Sequence, residues 1–495
     1  MNNRIKNLAL IGLYVAAVFF IGCIPENSLE WSQDGSVGLL RVDGALYLVD
    51  GQTGQLTEIA KEDVQPWPSI SKDGSLIAYS REVKCDSLSE GLKLLPPGQA
   101  KMIQYNAKKM SDNILEAGSL GMIDKFPDPE DKLLEAEEYR NWAIRYMYEN
   151  AGTELLKILG DEGIKLAKGK SLGYFQVVVV PRKNLEDKRV IASNIFGTWM
   201  TRMSPDNRYV AYIMQTQHGQ EEIEYSLYVA SIKSDINNML VDQRVALGYD
   251  WRQDSRAIAY LNADTENVGG DELAIGTLQE RVITDEENNL SAKPVELDKK
   301  ENGSVEMYEC TGDISSLAGM VFYPWQKVRY GLDGRIFFST CLMPLPMSKR
   351  AEPGWSLFCY DPVTGMVANV LPQSVSSHTS QAMNMLQFEL SPDGKKVLLP
   401  IKNNRLIDYE FGTDKVGLPI FDDEGFGEDE ISALVPTFKG NNEISFLVSG
   451  KSHYFDETQR ENPDRYEIIV LDRAALKGRI LSKSWPDEIM DNLKD

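Results

Sequence analysis

ELSPDGKKVLLP, residues 389–400, holds a short strand, a Ser391-Pro392-Asp393-Gly394 turn and a second strand of aliphatic side chains. Asp-Gly at the tip supplies a side chain that bonds its own backbone and a residue free to turn left-handed, and the run that follows reads as a half-buried strand. The same order recurs as WSQDGSVGLLRV from Trp31, SISKDGSLIAYS from Ser69, RMSPDNRYVAYI from Arg202, DWRQDSRAIAYL from Asp250, RYGLDGRIFFST from Arg329 and TFKGNNEISFLV from Thr437. Several copies continue into a third strand and a second turn, as in ALYLVDGQTGQLTEI from Ala45 and WSLFCYDPVTGMVANVL from Trp355.

A four-stranded antiparallel unit cannot bury both its faces alone. Near-regular recurrence of one turn favours radial stacking of such units over an open sandwich. Seven turns predict an all-β propeller of seven four-stranded blades, with six or eight as the alternatives because the interval from Asp254 to Asp333 has room for another. Here the chain resembles the TolB-type propellers, whose repeats carry S-P-D-G before strand two and D-x-x-T-G after strand three. Residues 391–394 and Asp361-Pro362-Val363-Thr364-Gly365 match fully, and Ser204-Pro205-Asp206-Asn207 differs only at its last position. The resemblance implies a propeller and, through it, a binding protein. Fold does not by itself fix function.

One stretch departs from this grammar. Residues 91–170 read helical, with Leu133 and Ala136, then Tyr139, Trp142 and Tyr146, at helical steps. Pro129 suits a first helical turn and Gly152 a stop. The segment is expected as a helical insertion in blade 2. Its aromatic run, Tyr139, Trp142 and Tyr146, is a candidate partner-binding stripe, packing against the propeller being the competing use.

Antiparallel strands send successive connections to alternate ends of a propeller. The short Asp-Gly and Thr-Gly turns share one face. The insert, the loops at 215–224, 342–354 and 450–465, and the links at 284–320, 372–384 and 420–431 share the other, which makes that long-loop face the expected binding face. His218, His378 and His453 all fall there. Oligogalacturonate lyases are propellers with similar repeats and a histidine-held metal, so these three are the candidate ligands if this chain resembles them. No spacing ties them into a set, and no metal or cofactor is expected. The acidic run from Asp422 to Glu430 lacks the alternating order of a calcium loop. Gly169-Lys170-Ser171-Leu172-Gly173 fits G-x-S-x-G, but it follows a helix and precedes a strand, the reverse of a nucleophile elbow. No catalytic residue is assigned. The enzymatic alternative is a metal-dependent polysaccharide lyase or hydrolase.

At the N-terminus, Arg4 and Lys6 precede an apolar run from Leu8 to Ile21 that stops at Gly22-Cys23. This layout is a secretory signal, and a run of about fourteen residues is short of the roughly twenty that span a bilayer. Phe20-Ile21-Gly22-Cys23 resembles a bacterial lipobox, with Phe20 where leucine is usual, and Ile24 after the cysteine implies sorting to the outer membrane. The expected organisation is a signal peptide at 1–22, a lipidated tether at 23–30 and a propeller at 31–495 interrupted by the insertion at 91–170. The net charge of −22 repels phosphate backbones, which excludes nucleic acid as a partner. Cys85, Cys310, Cys341 and Cys359 show no C-x-x-C spacing, and either disulfides or buried thiols accommodate them.

The function expected is that of an envelope lipoprotein binding a protein or peptide, or else a glycan. Replacing the anchor, Cys23→Ser, is expected to abolish membrane retention, checked by fractionation; unchanged retention would remove Cys23 as the anchor.

Overall fold

The structure is a computed structural model. It describes residues 28–61, 63–117, 137–218, 222–233, 238–268, 271–286, 289–295, 317–321, 326–344, 354–371, 388–401, 405–413, 416–419, 433–448, 467–474, 477–482, 485–486 and 489.

Seven blades follow one another along the chain. Blade 1 is β1 (Ser28–Trp31), β2 (Val37–Val42), β3 (Ala45–Asp50) and β4 (Leu56–Ala60), and blade 2 is β5 (Ser69–Ile70), β6 (Leu76–Cys85), β7 (Leu172–Pro181) and β8 (Arg189–Asn194). Blade 3 is β9 (Thr198–Met203), β10 (Tyr209–His218), β11 (Glu222–Ser231) and β12 (Asn238–Asp242). Blade 4 is β13 (Asp250–Trp251), β14 (Ala257–Val268), β15 (Asp271–Glu286) and β16 (Asn289–Val295). After β17 (Leu317–Val321) comes blade 5, β18 (Val328–Tyr330), β19 (Ile336–Pro344), β20 (Gly354–Asp361) and β21 (Met366–Asn369). Blade 6 is β22 (Glu389–Leu390), β23 (Lys396–Ile401), β24 (Arg405–Glu410) and β25 (Val416–Pro419), and blade 7 is β26 (Ala433–Lys439), β27 (Glu443–Val448), β28 (Glu467–Asp472) and β29 (Lys477–Ile480).

The first blade begins three residues before the expected propeller boundary, so Ser28 to Glu30 belong to its innermost strand instead of to a tether. The interval from Asp254 to Asp333 holds no eighth blade among its described residues. It lengthens the β14–β15 hairpin, and β17 pairs with both β15 and β19, joining blades 4 and 5 into one sheet.

The recurring turn explains the regular register. Ser32 Oγ donates to Asp34 Oδ1 at 2.7 Å and accepts the Val37 N–H at 3.2 Å, so one hydroxyl ties the end of strand one to the start of strand two. The same pair of bonds recurs at Ser71 with Asp73 and Leu76, at Ser204 with Asp206 and Tyr209, and at Ser391 with Asp393 and Lys396. The tip residue turns left-handed, at φ +68° for Gly394 and +59° for Asn207, a region that glycine and asparagine tolerate best.

Apolar clusters fill the gaps between blades. The Leu39, Ile70, Ile77 and Val178 cluster joins blades 1 and 2, and the Phe337, Leu357, Phe388 and Val397 cluster joins blades 5 and 6. Among the described residues no strand is shared between blades 1 and 7. Side chains close the ring instead: Trp31 Nε1 donates to Ser445 Oγ at 2.6 Å, Arg479 Nη2 to the Gly51 carbonyl at 3.0 Å, and Trp485 Nε1 to the Gly54 carbonyl at 2.6 Å. Trp485 packs with Leu29, Val49, Ile468 and Leu481 in that seam, and a β-carbon on Gly54 would stand 2.1 Å from the Leu481 carbonyl oxygen.

The insertion leaves the connection between β6 and β7 as α1 (Leu88–Leu94), α2 (Pro97–Ala117), α3 (Glu137–Glu149) and α4 (Thr153–Lys168). Pro129 and Leu133 lie outside the described residues. None of the described helices is long and apolar enough to cross a membrane. Because the seam of blades 1 and 7 depends on a buried tryptophan, Trp485→Ala is expected to cost about 3–5 kcal/mol. In urea titrations the midpoint should fall with the slope unchanged; an unmoved midpoint would show that the ring closes without this side chain.

Candidate functional site

Innermost strands of a propeller line its axis, and here they carry charge. The residue four places before each turn residue is Glu30, Ser69, Arg202, Asp250, Arg329, Glu389 and Thr437 in blades 1 to 7. Strand pairing shows that these positions are equivalent: their partners on strand two are Leu39, Ala78, Ala211, Ala259, Phe337, Leu398 and Ser445, all buried. Five of the seven are ionisable. They form one level of a central channel, with Lys327 two residues nearer the long-loop face on the approach to β18.

Neighbouring blades pair these charges. Arg202 Nη1 meets Asp250 Oδ1 at 3.2 Å, while the other oxygen of Asp250 accepts the Tyr330 N–H at 2.9 Å. Glu389 Oε1 is held by Lys327 Nζ and lies 3.5 Å from Arg329 Nη2, and Arg329 Nη1 donates to the Val328 carbonyl at 3.0 Å and to the Tyr249 carbonyl at 3.3 Å. These side chains keep between 10% (Arg329) and 28% (Glu389) of their exposure.

Their electrostatics are mutual. Burial raises Glu30 to about 7, with Glu389 adding to the rise and Arg202 and Arg329 opposing it. Burial also lowers Lys327 to about 7, helped by Arg329 and resisted by Glu389. Burial acts to raise Glu389 as well, but the Lys327 and Arg329 charges overcome it and bring the carboxyl down to about 2. Lys72, one residue before its turn in blade 2, is lowered by burial and donates across the channel mouth to Gln253 Oε1.

Two tryptophans flank the other end. Trp67, in the link from blade 1 to blade 2, and Trp199, at the start of β9, are both half-buried, their rings tilted at 41° with centroids 6.4 Å apart. Trp67 has φ +57° and Met200, next to Trp199, φ +49°. Such values cost non-glycine residues of order 1–3 kcal/mol each and persist where the surroundings over-determine them. Here Met200 N–H donates to the Pro66 carbonyl at 3.2 Å, and the Met200 carbonyl accepts from the Tyr249 hydroxyl. The blade 1–2 link and the start of β9 therefore place an aromatic pair at the long-loop end of the channel.

The aromatic stripe, a candidate for partner binding with packing as its commoner use, is not a surface. Tyr139 and Trp142 are 0% exposed and Tyr146 is half-buried, all in the core between the insertion and blades 2 and 3. Trp142 Nε1 donates to the Gly173 carbonyl at 2.8 Å, the Asn106 side-chain amide donates to the Tyr139 hydroxyl at 2.6 Å, and a β-carbon on Gly91 would stand 2.3 Å from the Trp142 ring. The helical spacing is that of a core face. Of α2, the outward Tyr105 is 66% exposed.

His218 ends β10, paired with Glu222, and its side chain is outside the described residues. His378, His453, Cys310, the acidic run at 422–430 and most of the long loops fall outside them too, as does Cys23. Ser171 stands exposed between α4 and β7, in the helix-to-strand order read from the sequence. Cys85 and Cys359 are unbridged thiols, the latter pushed up to about 12 by burial. The channel charges were the residues the motif reading passed over. Their signal is present: aligned on the turn residue, five of the seven repeats put an ionisable side chain at this strand position.

The sequence matches no family model and no curated protein. Among solved structures the chain is similar to a puromycin hydrolase, at 9% identity and a TM-score of 0.44 over 93% of this chain and 54% of that one. It is also similar to a putative TolB from Agrobacterium tumefaciens (12%, TM-score 0.32, 60% of this chain and 84% of that one). A third is the β-propeller domain of the Trilobed protease from Pyrococcus furiosus (12%, TM-score 0.33, 61% and 73%). The chain spans about half the length of the puromycin hydrolases it matches. Its successive four-stranded blades make it a seven-bladed β-propeller.

Glu30 provides a test of the channel electrostatics. A carboxyl raised from 4.5 to about 7 on folding contributes stability that is complete below 4.5 and lost as pH rises through about 7. Glu30→Gln does not titrate, so the melting temperature of the variant relative to the parent should climb between about pH 5 and about pH 8. A flat difference would place Glu30 in ordinary solvent.

Proposed function

We propose that this chain is a cell-envelope lipoprotein, anchored through Cys23 in the outer membrane and facing the periplasm, whose propeller captures a protein or peptide partner at the long-loop end of its channel. The Trp67–Trp199 pair carries this reading. Two half-exposed indoles held on strained backbone beside a charged channel give rigid, amphipathic contact area at little entropic cost, which is how aromatic anchors act in interfaces. The insertion and the joined hairpins of blades 4 and 5 rise from strand-two-to-strand-three connections on the same face, and they suit a broad recognition surface. The aromatic stripe of the insertion has no part in this, because its rings fill the core.

The test is capture of envelope proteins by the anchored chain, with identification of what is retained. Trp67→Ala combined with Trp199→Ala should weaken capture at least about tenfold, which is about 1.4 kcal/mol, and leave cooperative unfolding intact. Capture unchanged in the double variant would move the partner off this face.

A further inference from the structure

The channel has an unequal distribution of satisfied charge. Both oxygens of Asp250 have donors, Arg202 and the Tyr330 N–H, and Glu389 is held by Lys327 and Arg329. Arg202 gives only Nη1 to a protein acceptor among the described residues, leaving Nε and Nη2 of its fork uncommitted. Its side chain keeps 27% exposure at the level where the Asp250, Glu30 and Glu389 carboxyls act on it. An arginine fork with free N–H groups, recessed from bulk water, matches a carboxylate that accepts two parallel bonds.

The short-turn face carries Asp34, Asp73, Asp206, Asp254, Asp333 and Asp393, three of them paired with Arg208, Arg252 and Arg335 of the same turns. Toward the long-loop side the cation Lys327 stands beyond Arg329, and the tryptophan pair lies at that end. Glu389 engages both Lys327 and Arg329 there, so Arg202 is the guanidinium with donors to spare.

We infer that the central channel is a carboxylate-binding site, in which Arg202, backed by Arg329 and Lys327, receives an acidic side chain or C-terminus of a peptide entering past Trp67 and Trp199. This deepens the proposed function and rests on it for the peptide nature of the ligand. The carboxylate chemistry stands on the channel alone. Asp250 orients the Arg202 fork through Nη1, and Glu30, raised by burial, opposes an entering carboxylate less than an ordinary carboxyl would.

The test uses the intact chain in detergent, with N-acetylglutamate as the probe, its diamide as the uncharged control, galacturonate as a sugar acid, and sodium chloride at matched ionic strength. N-acetylglutamate should raise the melting temperature saturably, the diamide should not, and Arg202→Gln should weaken binding at least about tenfold in calorimetric titration. Arg202→Lys keeps the charge but not the fork; if it folds where the glutamine variant does not, it should still lose most of the affinity. No saturable effect of either acid, or equal binding by parent and Arg202 variants, overturns the site. Galacturonate binding in place of N-acetylglutamate overturns the peptide assignment. Probe binding without any captured envelope protein would refute the proposed partner while leaving the carboxylate site standing, and capture without probe binding would do the reverse.

Discussion

The rest of the molecule depends on the hydrogen bonds of one turn. A serine hydroxyl that donates to the turn aspartate and accepts the first amide of the next strand fixes how strand one meets strand two. A slip of one residue would exchange the two faces of each strand. The turn therefore decides which innermost side chains look down the axis, and it does so alike in blades 1, 2, 3 and 6. Blades 4 and 5 lack the serine and use other means: Arg252 Nε bonds Asp254 at 3.0 Å, and Asp333 accepts the Arg335 N–H at 3.1 Å. The register survives, and so does the channel position.

This regularity explains why charge can be kept at the axis. Ionisable groups in an interior are costly unless paired, and adjacent blades offer partners at a fixed spacing. Arg202 with Asp250 bridges blades 3 and 4, and Lys327 and Arg329 with Glu389 bridge blades 5 and 6. Removing one partner leaves a buried charge, and hydrophobic packing is the cheaper way to fill a core, so this level is a costly place to keep charge. Stability lies elsewhere, in the inter-blade clusters and the seam closed by Trp31 and Trp485.

The fold was legible in the sequence because its signal is local: Asp-Gly tips and the strands beside them repeat within a dozen residues. The blade total resolved to seven because the long interval before Asp333 extends hairpins. Helices were legible as helices, but not the direction in which Tyr139 and Trp142 point, since a stripe facing a partner and one facing a core share the same period. The channel was the least legible part. Glu30, Arg202 and Glu389 lie far apart in sequence, and only closure of the ring brings blade 1 beside blade 7 and sets these three around one axis.

The central claim is that a partner meets the propeller at the long-loop end of its channel, and amide hydrogen exchange with and without the captured partner tests it most directly. Protection should concentrate in residues 66–70 and 198–203, around Trp67 and Trp199. Protection confined to the turn tips at 33–36, 72–75 and 392–395, with those two segments unchanged, would contradict it.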